Sequence, residues 1–551
     1  MAEQVTGAGN QHELVPPRIA EVARAATVDV QRAIELAAGA KADGLADPLL
    51  NRLVAIGLRQ AGRFEEAIAE LGLGLALDPQ NAQLMTDVGF CLLELGRRRE
   101  AGQVLGVAVK LAPASAETNF AYGWAAQSVG SLNVADSAFK RAIALDPNHA
   151  DTLAGLSGLA AGRREWDAAR SYAERAAAID PRQTDALMNL ARIDLGQGHL
   201  EAAETQLRRI IELRHLKPQA RAASRILLGD TLDAAGRYRE ALDAYAEGKS
   251  ELREQFAHIF DAPQTNSASD GARRILSEFL ETPPEAWSSR ARATSAGPAR
   301  AHAFLVGFPR SGTTLLEQVL ASHPDVVALD ERPALIDAEE EFLIQAGGVK
   351  RLAGVVGALL EPFRQAYWKR VGEFGVNPAS KVFIDKHPLS TARLPLISKI
   401  FPQAKIIFAI RDPRDVVLSC FRRNFNMNAA MYEFNTLDGA AKSYDTLMTA
   451  AQVYFERLPV EMFQLRYEAL VSNFEGEARR LCEFLGIDWT EAMKDFATTA
   501  STRLIATPSG SQVARGLYTE GAGQWRNYAF ALEPVMPILQ PWIEKFGYDP
   551  A

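Results

Sequence analysis

Two runs in the second half of this 551-residue chain hold residue types that bind phosphate. The first, Phe304-Leu-Val-Gly-Phe-Pro-Arg-Ser-Gly-Thr-Thr-Leu-Leu316, reads as a strand, a glycine-bearing turn and a helix start. In that arrangement backbone N–H groups and the helix dipole hold an anion. Arg310, Ser311, Gly312, Thr313 and Thr314 are its candidate binding residues. A triphosphate loop needs Lys followed by Ser or Thr after its second Gly, to reach the terminal phosphates and hold magnesium. Here Thr313 and Thr314 follow Gly312, which disfavours a nucleotide kinase.

The second run is Ala404-Lys-Ile-Ile-Phe-Ala-Ile-Arg-Asp-Pro-Arg-Asp-Val-Val-Leu-Ser-Cys-Phe-Arg-Arg423. A buried strand delivers Arg411 at its carboxyl end, and a guanidinium takes a phosphate bidentately. Ser419 on the following helix adds a hydroxyl, and Arg423 lies one turn further on the same face. One phosphate satisfies all three. Arg414 and Arg422 are expected to be paired or solvated, as charges on such helices usually are.

These runs need a scaffold that brings them together. Apolar strands over 303–307, 382–384 and 405–410 alternate with helical periods over 313–322 and 391–400. Strands alternating with helices imply a parallel sheet, with ligands outside the carboxyl ends of its strands. The turns at 309–314, 385–388 and 411–414 therefore face one crevice.

Pro309-Arg-Ser-Gly-Thr-Thr314 resembles the 5′-phosphosulfate loop of sulfotransferases, above all the tyrosylprotein sulfotransferases. Arg411, Ser419 and Arg423 resemble the 3′-phosphate motif of the same enzymes. The resemblance covers roughly 303–548. It implies an α/β parallel-sheet domain of the P-loop nucleotide-binding type, with 3′-phosphoadenosine 5′-phosphosulfate as cosubstrate. One bridging phosphosulfate needs less countercharge than a triphosphate and no metal.

Sulfuryl transfer demands in-line geometry, a base for the acceptor's proton and cations on the leaving phosphate. Within 323–333 the resemblance implies Glu331 as that base, with Asp330 its rival. In Phe383-Ile-Asp-Lys-His-Pro388 it implies that Lys386 holds the transferring group. It also implies a transition-state role for Ser509 in Thr507-Pro-Ser-Gly-Ser-Gln-Val513, and nucleotide contact by Tyr467. His323, close to the anion-loop helix, and His387, beside a better candidate, are set aside as bases. One departure stands out: aligned on Trp525, the family's nucleotide-binding lysine is Gln524, so Arg526 or Arg515 would have to supply the charge.

The first half repeats. Pro79, Pro113, Pro147 and Pro181 recur every 34 residues, as do Gly62, Gly96 and Gly130, and Ala67, Ala101, Ala135, Ala169 and Ala203. Each unit reads as two amphipathic helices with a small residue where they cross, a Gly ending the first and a Pro closing the second. The period and pattern resemble the tetratricopeptide repeat. A sixth unit, offset by four residues, keeps Gly236 and Ala241. About six repeats fill 47–255, after a helical cap or degenerate repeat over 1–46. A linker over 256–300, carrying a short helix at 271–280, precedes the transferase domain at 301–551. The expected architecture has two parts: an all-α tetratricopeptide solenoid, then the α/β domain. The concave face of such arrays usually binds a peptide or partner protein.

A net charge of −8 gives no global basic footprint, so nucleic acid is not an expected partner. Cys91, Cys420 and Cys482 are too few and too scattered for a disulfide framework or a zinc site. No apolar run is long enough to span a bilayer, and residues 1–17 lack a secretory pattern, so a cytoplasmic protein is expected. The leading expectation is an enzyme transferring a sulfuryl group to an acceptor hydroxyl, with protein tyrosine as one acceptor and repeats recruiting the acceptor or a partner. A carbohydrate, lipid or small metabolite is the alternative acceptor. A repeat-based interaction protein with an inactive transferase domain is the other class.

Overall fold

The computed structural model describes residues 16–214, 216–288, 297–496 and 521–549. Ser509 and Arg515 lie outside the described residues. The chain divides into two compact units, 1–159 with 167–186, and 160–166 with 187–551.

In the first unit, helices Pro48–Gln60 and Phe64–Leu77 are followed by Ala82–Glu94 and Arg98–Leu111, then Ala116–Ser128 and Leu132–Leu145. Each first helix ends on a left-handed glycine, with φ of 73° at Gly62, 74° at Gly96 and 73° at Gly130. There Gly62 N–H donates to the Arg59 carbonyl and Arg63 N–H to that of Leu58, so the glycine's missing Cβ lets the last carbonyls be satisfied. Ala67, Ala101, Ala135 and Ala169 are fully buried, which is why the crossing tolerates only a small side chain. The predicted N-terminal helical stretch is two helices, Pro17–Ala26 and Val30–Ala42, the second capped by Asp29 accepting from Arg32 N–H. Ile19, Val22, Ala33 and Ala37 pack with Leu50 and Leu53.

In the second unit the repeat pattern continues through Leu200–Ile211 to a long last hairpin, α1 (Pro218–Ala234) and α2 (Tyr238–Phe260). Helix α3 (Ala268–Leu280) starts on a Ser267/Asp270 capping box, and its Glu278 accepts from the Gly347 and Val349 N–H groups at 2.8 and 3.0 Å. Strand β1 (Ala301–Gly307) leads to α4 (Thr313–Ala321) and β2 (Val326–Asp330). Helix α5 (Glu361–Glu373) precedes β3 (Val382–Lys386). Strand β4 (Lys405–Ile410) leads to α6 (Pro413–Arg422), α7 (Leu437–Arg457) and β5 (Glu461–Arg466).

The strands form one sheet in the order β2-β3-β1-β4-β5, parallel throughout. Both faces are covered, as an all-parallel sheet requires. Phe304, Val306, Ile406 and Phe408 enter a core shared with Leu227, Leu232, Ala241 and Tyr245 of the last hairpin. Ala303, Leu305 and Ile407 face a second core with Leu316, Leu320 and Leu481. Two further strands, β2 and β5, are the edges of the sheet; β5 is half-exposed and has no continuous apolar run, whereas β2 has only the short apolar run over 326–329 ahead of Asp330.

Candidate functional site: an anion cleft and a buried lysine

The turn after β1 is built by close approach. A Cβ on Gly307 would lie 2.5 Å from the Ala409 carbonyl, and the Thr391 hydroxyl both accepts from Gly307 N–H and donates to its carbonyl, at 3.0 and 2.7 Å. Gly312 has φ 92°, and a Cβ there would meet the Tyr467 ring at 2.8 Å. Ser311, Thr313 and Thr314 are buried where α4 begins. Arg310, inside this loop, is held in the left-handed region at φ 71°. A non-glycine residue so placed costs about 1–3 kcal/mol and marks a constrained site.

The two phosphate-type runs converge. Arg310 Nε donates to Ser419 Oγ at 2.9 Å, and Arg411 Nη1 to the Arg310 carbonyl at 3.1 Å. Arg411 also donates to the Gly521 carbonyl and lies 4.8 Å from the centre of the Tyr467 ring. Arg310, Arg411, Ser419, Arg422, Arg423, Asp415, Leu418, Gly521 and Gln524 line one cleft. Arg423 is not on the helix but just past its end, in extended conformation. The Nε atoms of Arg411 and Arg423 are buried without a hydrogen-bond partner. Buried guanidinium donors left over at a cleft suit an anionic ligand with several acceptor oxygens.

Asp415, which the sequence reading passed over, closes this wall. Its carboxylate accepts from the Gly523 and Trp525 N–H groups at 2.7 and 2.8 Å, and burial raises its pKa despite nearby Arg411. Its i,i+4 spacing from Arg411 was the available signal. Arg414 is paired as expected, to Asp412 at 2.8 Å under the Trp525 ring. Arg422 is also paired, yet it lines the cleft and donates to Gln524 Oε1 at 3.5 Å. Arg526, proposed to replace the missing lysine, instead sits over Trp525 at 5.0 Å.

A second cluster lies at the end of β3. The register sets Asp330 opposite Lys386, and Glu331 N–H donates to the Lys386 carbonyl at 2.8 Å. The Lys386 side chain is fully buried, with Nζ 2.7 Å from Glu331 Oε1, 3.8 Å from Glu317 Oε2 and also bonded to Asp330. Burial alone would lower its pKa, but the three carboxylates outweigh it and hold the ammonium above its usual value. Glu331 has φ 47° and a side chain 40% exposed, so it reaches solvent while bonded to a buried cation. Glu317 on α4 ties this pair to the anion loop's own helix. Of the four non-glycine residues with positive φ among those described, two are therefore Arg310 and Glu331.

The rejected histidines are structural in their contacts. His323 bonds the Asp488 carbonyl at 2.8 Å and accepts from Asp325 N–H at 3.0 Å. His387 is buried beside Arg393, and burial drives its pKa well down.

A parallel α/β sheet with an anion loop after β1 and an arginine–serine pair after β4 defines a sulfotransferase-type domain. Residues 303–491 match the sulfotransferase family, and residues 58–118, 160–225 and 116–149 match tetratricopeptide repeats; the chain carries a repeat array ahead of a sulfotransferase domain. Among relatives, protein-tyrosine sulfotransferase 1 of Danio rerio is 27% identical over 258 residues, 45% of this chain and 72% of that protein. Protein-tyrosine sulfotransferase 1 of Homo sapiens is 28% identical over 261 residues, covering 45% and 69%. An uncharacterised protein of Aquifex aeolicus is 28% identical over 262 residues, of which the match spans only 33% of its length. Among solved structures, the type IV pilus biogenesis factor PilW aligns at 20% identity with a TM-score of 0.31, over 39% of this chain and 95% of that one. Among the described residues no helix is long and apolar enough to cross a membrane.

Proposed function

We propose that the chain transfers a sulfuryl group from 3′-phosphoadenosine 5′-phosphosulfate to the hydroxyl of a protein tyrosine, with the repeats recruiting the acceptor protein or a partner. One observation carries the donor half: Arg310, Arg411, Ser419 and Arg423 meet in one cleft, where two buried guanidinium Nε atoms have no partner. The donor supplies an activated sulfuryl group on a phosphate leaving group. Arg411, Ser419 and Arg423 would hold its 3′-phosphate; Arg310, Ser311, Gly312, Thr313 and Thr314 would hold the 5′-phosphosulfate, and Tyr467 the nucleotide. Ser509 and Arg515 complete the proposed set. No metal is required, because Lys386 and Arg310 provide the cations.

In the transfer the acceptor oxygen bonds to sulfur as the sulfur–oxygen bond to the phosphate breaks. Glu331 removes the acceptor's proton, and its exposed carboxylate suits a base that must meet an incoming hydroxyl. Lys386, kept protonated by its carboxylates, offsets charge on the leaving oxygen. The tyrosine acceptor rests on the names of the relatives alone.

Calorimetry should show 3′-phosphoadenosine 5′-phosphate binding much more tightly than AMP, and Arg411→Ala should weaken it about 100-fold, the loss of a bidentate charged contact worth roughly 3 kcal/mol. Equal affinity for AMP sinks the donor assignment. Glu331→Gln should keep nucleotide affinity and lose about 100-fold or more in turnover. Incubation with radiolabelled donor and cell lysate should place label on protein tyrosine; label in glycan, lipid or a small metabolite overturns the acceptor assignment.

A further inference from the structure

The last repeat hairpin reaches the anion cleft. Asp230 and Asp233 on α1, and Tyr245 and Lys249 on α2, all bond to the end of α6 or to each other. Arg422 Nη2 lies 2.5 Å from Asp233 Oδ2, with its guanidinium 5.3 and 5.2 Å from the rings of Tyr245 and Tyr528. Arg423 Nη1 lies 3.4 Å from Asp230 Oδ2. The Tyr245 hydroxyl links the two ion pairs, donating to Asp230 Oδ1 at 2.7 Å and accepting from Arg422 Nε at 3.3 Å. Tyr528 donates to Asp233 Oδ1 at 2.6 Å. Lys249, 1% exposed, donates from Nζ to the Arg423 carbonyl at 2.6 Å.

A buried lysine is costly where an apolar residue could pack, so its retained contact calls for a reason. What the lysine adds is a fixed place for the backbone of residue 423, which has left the helix and has no ladder to hold it. Burial lowers Lys249 to about 7, and Nζ can donate the bond to the Arg423 carbonyl whether charged or neutral. Arg423 in turn carries a buried Nε free of protein partners at the cleft.

We propose that Tyr245, Lys249, Asp230 and Asp233 of the repeat hairpin are positioning residues of the nucleotide site, orienting Arg422 and Arg423 to read the donor's 3′-phosphate. This rests on the donor assignment above. The repeat series thus ends inside the enzyme, and its last unit sets donor selectivity.

The test is the ratio of affinities for 3′-phosphoadenosine 5′-phosphate and AMP, in the full chain by calorimetry. Tyr245→Phe removes one neutral oxygen and keeps the packing. It should weaken the bisphosphate about fivefold, one buried hydrogen bond, while AMP stays within about twofold. Lys249→Met should narrow the ratio in the same way. A wild-type chain without preference for the bisphosphate defeats the donor assignment itself. A wild-type preference left unchanged in both variants overturns the positioning role. Equal weakening of both ligands with a lowered melting temperature also overturns it, because that is what a merely structural role produces. Should Lys249→Met fail to fold, the tyrosine variant decides alone.

Discussion

Asp385 and Lys386 are neighbours on β3 whose environments drive them to opposite states. Lys386 is buried among three carboxylates and stays charged. Asp385 is buried with Tyr367, whose hydroxyl donates to it at 2.8 Å and lies 3.0 Å from His302 Nε2. Burial pushes Asp385 up to about 7, with the Tyr367 bond opposing it. The folded carboxyl therefore binds a proton that the unfolded chain releases, so stability is full below the unfolded pKa near about 4 and is lost as pH rises through about 7. Asp385→Asn keeps the shape without the charge. It should raise the melting temperature at about pH 8, by the equivalent of up to about 4 kcal/mol, and the gain should shrink as pH falls and vanish below about pH 4. A gain that does not change with pH, read by thermal scans across that range, would show that Asp385 is not the titrating group.

Each repeat's first helix closes on a left-handed residue, and that single demand explains much of what the sequence showed. Gly62, Gly96, Gly130, Gly198 and Gly236 all have positive φ, at 34-residue intervals or their multiples until the last is offset. The fourth repeat has Arg164 at the corresponding place, with φ 63°. A side chain there costs about 1–2 kcal/mol, offset by roughly 0.5 kcal/mol from its stack on Trp166 at 5.7 Å. Arg164→Gly should therefore stabilise by about 0.5–1.5 kcal/mol in urea unfolding, and a loss of stability would mean that the stack outweighs the strain. The repeats were legible because a backbone rule and a crossing rule each fix a residue type every 34 positions. The anion loop and Arg411 were legible because strand, turn and helix lie within one short run. Arg422 was half legible: its being paired could be expected, but Asp233 is 189 residues away and nothing local names it. The edge strand β5 was not legible because a half-covered edge does not need an unbroken apolar run, while the four apolar residues of β2 are too short a run to tell a strand from a helix segment.

At the scale of the molecule, the compact unit that holds the sheet runs from 187 to 551 and takes in 160–166 as well. The core under β1 and β4 includes Leu227, Leu232, Ala241 and Tyr245 of the last hairpin, and Trp166 fills the space beside Gly196, where a Cβ would lie 2.5 Å from its ring. A chain shortened to 301–551 would expose that core face and take Asp233 and Tyr245 away from Arg422, whose pairing to them offsets its burial in the whole chain. Uncovering side chains of the size of Leu and Tyr costs about 1.5–3 kcal/mol each, so losing several of these contacts approaches the whole stability of an ordinary domain, roughly 5–15 kcal/mol. A chain beginning at residue 150 keeps the whole unit without cutting a helix. The 150–551 chain should unfold in one cooperative transition and bind 3′-phosphoadenosine 5′-phosphate within about threefold of the full chain, a difference under roughly 0.7 kcal/mol. The 301–551 chain should show no cooperative transition in calorimetry and no binding. If it folds and binds as the longer chains do, the last hairpin is an appendage to the transferase domain and not part of its core.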